Sequence, residues 1–101
     1  MRYGYVVHDN DMGMQDQALE RVGCDQVHYG DLSNVLSKLV ADDVLVVWRA
    51  DKLANTFEGL EQVFDEVHQA GATVELVYEQ IRSSRDYKVQ LSQLIDIMKQ
   101  L

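Results

Sequence analysis

The chain has 101 residues, 47% hydrophobic and 26% charged, which fits one soluble globular domain and excludes an intrinsically disordered segment. Seventeen acidic residues against nine basic ones give a formal charge of −8, a field that repels phosphate and argues against autonomous nucleic-acid binding. No apolar run approaches the roughly 20 residues that span a bilayer, the N-terminus lacks a signal-peptide layout, and the single cysteine, Cys24, fits a structural role in a reducing cytoplasm.

Residues 2–8 form a short apolar, aromatic and β-branched run that predicts a buried strand. Residues 10–13 are polar and turn-rich. Met14, Ala18, Leu19 and Val22 then fall at helical spacing, and Gly23 stops the helix. Residues 26–29 predict a second, shorter strand closed by Gly30. Asp31 or Ser33 can cap a helix with Leu32, Val35, Leu36, Leu39 and Val40 at its apolar positions.

Asp42 and Asp43 turn the chain into residues 44–48, a strand apolar on both faces and therefore central. Residues 49–55 connect through a short helical turn to a helix capped by Thr56. That helix turns Phe57, Leu60, Val63, Phe64 and Val67 inward and ends at Gly71. Residues 73–78 predict a fourth strand. Ser83 or Ser84 caps a last helix with Val89, Leu91, Leu94, Ile95, Met98 and Leu101 along its apolar stripe.

Strand and helix alternate throughout, which predicts a small doubly wound α/β domain over residues 1–101. Its four-stranded parallel sheet has order 2-1-3-4, with helices on both faces. Ligands of such sheets bind beyond the carboxyl ends of the strands, near the switch in strand order. His8, Asp9, Asn10 and Asp11 gather there after strand one, and Arg49, Asp51 and Lys52 after strand three.

Tyr3-Gly4-Tyr5-Val6-Val7-His8-Asp9 resembles the first strand of the serine recombinase (resolvase/invertase) catalytic domain, which reads Gly-Tyr-Val/Ala-Arg-Val-Ser. The helix end and second strand, from Ala18 through Gly23-Cys24 to Val27, resemble the invertase pattern ending Ala-Gly-Cys. The stretch Asp43-Val44-Leu45-Val46-Val47-Trp48-Arg49-Ala50-Asp51-Lys52-Leu53-Ala54-Asn55 is similar to the family's Asp-Thr-Leu-Val-Val-Trp-Lys-Leu-Asp-Arg-Leu-Gly-Arg. The likeness runs over residues 2–85 with one gap. Tyr29-Gly30-Asp31 passes almost directly into the next helix, where family members carry a mobile Asp-Arg-Pro-Gly segment. The family's long dimerisation helix and its DNA-binding domain fall beyond Leu101.

In the family a serine attacks a DNA phosphodiester, and surrounding arginines stabilise the transferring phosphoryl group. Such catalysis needs cations aimed at the developing charge. Carried over residue by residue, the resemblance places Asp9 at the nucleophile, Val7 at the strand-one arginine and Asn55 at the last arginine of the motif. Asp51 keeps the acidic position, and Lys52 replaces an arginine without its bidentate fork. The resemblance therefore implies the family's fold without its reaction. The implied role is protein–protein contact, either self-association through the last helix or modulation of a recombinase, with no cofactor.

Two other classes make different predictions. Asp9, Asp11 and Asp51 could hold Mg²⁺ or a phosphoryl group as in a receiver domain, although no acceptor stands directly at the end of strand three. A DNA-mimicking inhibitor would use the negative charge to fill a basic groove, yet the acids are spread over all the helices. The plainest account of Asp51 and Lys52 is that Asp51 caps the short turn while Lys52 is solvated. His28 and His68 lack partners at ligand spacing, and no serine has a histidine nearby in sequence.

Overall fold

The computed structural model describes residues 1–84 and 86–99, without the side chains of residues 95 and 97–99. In chain order it contains β1 (Arg2–Val6), α1 (Met12–Val22), β2 (Gln26–Tyr29), α2 (Leu32–Lys38) and β3 (Val44–Val47). A 3-10 turn (Ala50–Lys52), α3 (Phe57–Gln69), β4 (Thr73–Leu76), β5 (Ile81–Arg82) and α4 (Tyr87–Lys99) follow. The sheet order is β2-β1-β3-β4-β5, with the first four strands parallel.

The order 2-1-3-4 is as the alternation predicts, but the sheet has a fifth strand. β5 runs antiparallel to β4, pairing Leu76 with Ile81 and Glu75 with Arg82. Two residues are too few to show an alternating pattern, which is why the sequence does not reveal it. Gln80, at φ 56°, helps to turn the chain between the two strands. β4 proper ends at Leu76, although the Val77 and Tyr78 amides still donate to the Val47 and Trp48 carbonyls at 3.0 and 2.7 Å.

The two faces of the sheet are covered unequally. Tyr5, Leu45, Val47, Val74 and Leu76 point into the larger core, where Val35 of α2, Leu60, Phe64 and Val67 of α3, and Leu91 and Leu94 of α4 meet them. Val6, Val44 and Val46 point the other way and pack with Leu19 of α1. β3 contributes side chains to both cores and all four of its residues are buried, as its unbroken apolar run requires. Close approach of α1 depends on Gly4, because a Cβ there would meet Leu19 Cδ1 at 2.8 Å and Cys24 Sγ at 3.1 Å.

Several local expectations shift. α1 begins at Met12, and its inward residues are Gln15, Ala18 and Leu19, while Met14 and Val22 are exposed. Asp31, in the left-handed region at φ 52°, caps α2 by accepting the Asn34 amide. That helix ends at Lys38, so Leu39 is buried from an extended backbone and Val40 is exposed. Thr56 caps α3 through the Gly59 amide. Ser83 is no helix cap. It is buried, and its hydroxyl accepts the Val74 amide at 2.7 Å.

On α4, Leu91 and Leu94 are fully buried, whereas Val89 is exposed. The side chains of Ile95, Ile97 and Met98, and all of Leu101, lie outside the described residues. No helix among the described residues is long and apolar enough to cross a membrane.

Candidate functional site

β1 and β3 lie side by side at the point where the strand order reverses, so the segments that leave their carboxyl ends share one rim. An open cavity of about 370 Å³ there is lined by Val7, Asp9, Asp51, Lys52, Leu53, Ala54 and Asn55. All five positions aligned with the recombinase site, Val7, Asp9, Asp51, Lys52 and Asn55, thus line one cavity, although Val7 and Asn55 stand 48 positions apart in the sequence. Asp11 does not line the cavity but is bonded to Lys52, which does.

Lys52 is the centre of the arrangement. Its ammonium lies 2.8 Å from Asp9 Oδ2 and 2.8 Å from Asp11 Oδ2. The lysine side chain is only 11% exposed, and its ammonium lies 5.7 Å from the centre of the Trp48 ring. The solvated Lys52 expected from sequence is therefore wrong. Sheet pairing of β1 with β3 delivers two carboxylates that the sequence gives no reason to place beside it. The bond from Lys52 and the Asp11 amide hold the Asp9 carboxyl below its ordinary pKa. Burial pulls the Lys52 ammonium down, but its bonds to Asp11 and Asp9 outweigh this and its pKa is raised. Asp9 and Lys52 are therefore each held in the charged form.

Asp51 takes no part in that cluster. It sits inside the 3-10 turn rather than capping it, and Arg49, at the cap position, makes no side-chain cap. Asp51 Oδ2 instead pairs with Arg49 at 3.2 Å. The Arg49 guanidinium lies 5.1 Å from the ring centres of both Trp48 and Tyr78, which meet edge-on, and Trp48 and Arg49 do not line the cavity. Asp9 and Asp11 converge on lysine while Asp51 converges on arginine. Among the described residues no group of three His, Cys, Asp or Glu side chains is arranged to hold a metal ion.

Two residues that support the site escape sequence reasoning. Gln15 is fully buried. Its Oε1 accepts the Val7 amide at 2.9 Å, while its Nε2 donates to the Val7 carbonyl and to Asp9 Oδ1, each at 3.1 Å. The side chain extends the sheet's hydrogen bonding past the end of β1 and fixes Asp9. A glutamine between Met14 and Asp16 carries no signal beyond its place on the inward face of α1. Glu79 accepts the Ala50 amide at 2.9 Å and so holds the start of the 3-10 turn. Burial pushes its carboxyl above the ordinary range.

His8 and Asn10 are exposed and do not line the cavity. His28 lies on the edge strand, tilted against Tyr3 and 3.2 Å from Gln26. His68, by contrast, gains a serine partner that the sequence does not suggest, since its Nε2 lies 2.7 Å from Ser83 Oγ. Cys24 is half-buried beside Leu19 and its pKa is raised by burial, the reverse of an activated thiol.

In fold, this five-stranded, largely parallel sheet with its helices resembles a serine recombinase catalytic domain. The chain is similar to the crystal structure of the N-terminal catalytic domain of TP901-1 integrase, with a TM-score of 0.64 over 97% of this chain and 93% of that one, at 16% identity. No protein-family model matches the sequence, and no curated protein matches it.

Proposed function

We propose that this chain is a recombinase-like domain without strand-transfer chemistry, acting through contact with another protein or a second copy of itself. The observation that carries the reading is the Lys52 cluster. At the position that resembles the family's nucleophile stands Asp9, and its carboxylate is bound to Lys52 at 2.8 Å. An aspartate so placed repels a DNA phosphate. The cation that could have attracted one is shared between two carboxylates. Val7 and Asn55 supply no charge where the family's arginines would stand. Among the described residues of the cavity the one cation, Lys52, is already committed to two carboxylates and is poorly placed to stabilise a phosphoryl group.

The contact half of the reading rests on α4, where Val89 is exposed and the sequence continues Ile95, Ile97, Met98 and Leu101. As a sequence pattern, these apolar residues fall on more than one face of a helix. Size-exclusion chromatography with light scattering is expected to give a dimer or larger species, weakened by Val89→Glu. A monomer at all concentrations would sink this half.

The metal and phosphoacceptor alternative lacks support in the geometry, because its three aspartates face two different cations. The DNA-mimic alternative requires a contiguous row of carboxylates. At the rim, acid and base are instead paired.

A further inference from the structure

α4 is held to the body of the domain by a small polar cluster that the site does not use. Its parts are Asp65 and His68 on α3, the Val74 amide on β4, Ser83 after β5 and Tyr87 at the start of α4. The His68 ring stacks on the Tyr87 ring, with centroids 4.3 Å apart and planes 17° from parallel. The Tyr87 hydroxyl donates to Asp65. Ser83 Oγ accepts the Val74 amide at 2.7 Å and lies 2.7 Å from His68 Nε2.

The arrangement fits a neutral His68 accepting at Nε2. The Val74 amide can only donate, so one lone pair of Ser83 Oγ is committed to it. The residue is 4% exposed, and its hydroxyl hydrogen needs an acceptor. His68 Nε2 is the acceptor beside it, which requires a neutral ring carrying its hydrogen on Nδ1. Protonation turns Nε2 from acceptor into donor and leaves the buried Ser83 hydroxyl hydrogen without a partner.

We propose that His68 is a proton-operated latch: neutral, it holds Ser83 and the stacked Tyr87, and protonated, it loosens the start of α4 and with it the surface used for protein contact. The proposal rests on the reading that α4 carries that contact. Its sign follows from the groups facing the ring. Burial lowers the pKa of His68, and Asp65 opposes this from the same helix. Glu61, also on α3, adds a weaker negative influence on Tyr87. Asp86 just before α4 and Lys88 on it flank Tyr87 and are exposed, and Ser83 and Val74 bring no charge. The folded chain thus binds this proton less readily than the unfolded one. The contribution is complete above the ordinary imidazole value of about 6.5 and is lost as pH falls below it.

The test follows the His68 ring nitrogens and α4 amide exchange by NMR in the full chain, from about pH 7.5 to about pH 5. Nδ1 is expected to carry the hydrogen at the upper end. Exchange in the first turns of α4, corrected for its intrinsic pH dependence, is expected to quicken about tenfold at the lower end. His68→Gln, which keeps a neutral acceptor, is expected to abolish that change. A hydrogen on Nε2 at the upper pH, or the same acceleration in His68→Gln, overturns the latch. If His68→Gln fails to fold, the wild-type tautomer decides. Light scattering on the same samples separates the two ideas. A monomer throughout with a pH-dependent α4 refutes the contact reading alone, and a dimer with a pH-independent α4 refutes the latch alone.

Discussion

Phe64→Ala is expected to lower the unfolding free energy by about 3–5 kcal/mol. Phe64 is the largest fully buried side chain. It lies in the core formed by α2, α3 and α4 against β1, β3 and β4, and its ring is 6.2 Å from that of Tyr87. Truncation removes apolar area and leaves a cavity bordered by helices that cannot collapse without leaving the sheet. Small domains have only about 5–15 kcal/mol in total, so the loss is a large fraction of the whole. Urea titration should show a lower midpoint with an unchanged slope. A loss below about 1 kcal/mol would mean that α3 is not seated on the sheet as described.

Gln15→Leu is expected to cost about 2–4 kcal/mol, since an unsatisfied buried polar group costs about 1–3 kcal/mol and Val7 would lose a partner for both its amide and its carbonyl. Leucine fills similar space, so packing changes little and the effect isolates the hydrogen bonds. The same substitution frees Asp9 Oδ1 from one of its two donors, the other being the Asp11 amide. Local exchange at Val7 should rise by more than the global loss of stability explains. A leucine variant as stable as the parent would show that the end of β1 does not depend on α1.

Much of this fold could be read in the sequence because its strands and helices differ in period. The run Val44–Val47 permits nothing but a central strand, and the cap at Thr56 with the stripe through Val67 defines α3. The failures have physical causes. β5 has two residues and no pattern. Met14 suggested the inward face of α1, but the chain buries Gln15 there because β1 needs hydrogen-bond partners beyond its last residue more than α1 needs another apolar contact. The site was legible as a set of positions, through resemblance at Val7, Asp9, Asp51, Lys52 and Asn55. Its internal pairing was not. Whether Lys52 meets solvent, Asp51 or Asp9 depends on which strands adjoin, and residues 43 apart carry no local trace of that choice. The same holds for His68 and Ser83, which the β4–β5 turn and α3 bring together.

The central claim is that the fold persists here without the family's reaction. The direct measurement is incubation of the chain with DNA carrying a serine recombinase crossover site, quenched in denaturant and resolved by denaturing electrophoresis. Unbroken DNA with no protein attached is expected, both for the parent chain and for Asp9→Ser, because Val7 and Asn55 still provide no cation for the phosphoryl group. A covalent protein–DNA adduct formed by the parent chain through any residue would contradict that claim.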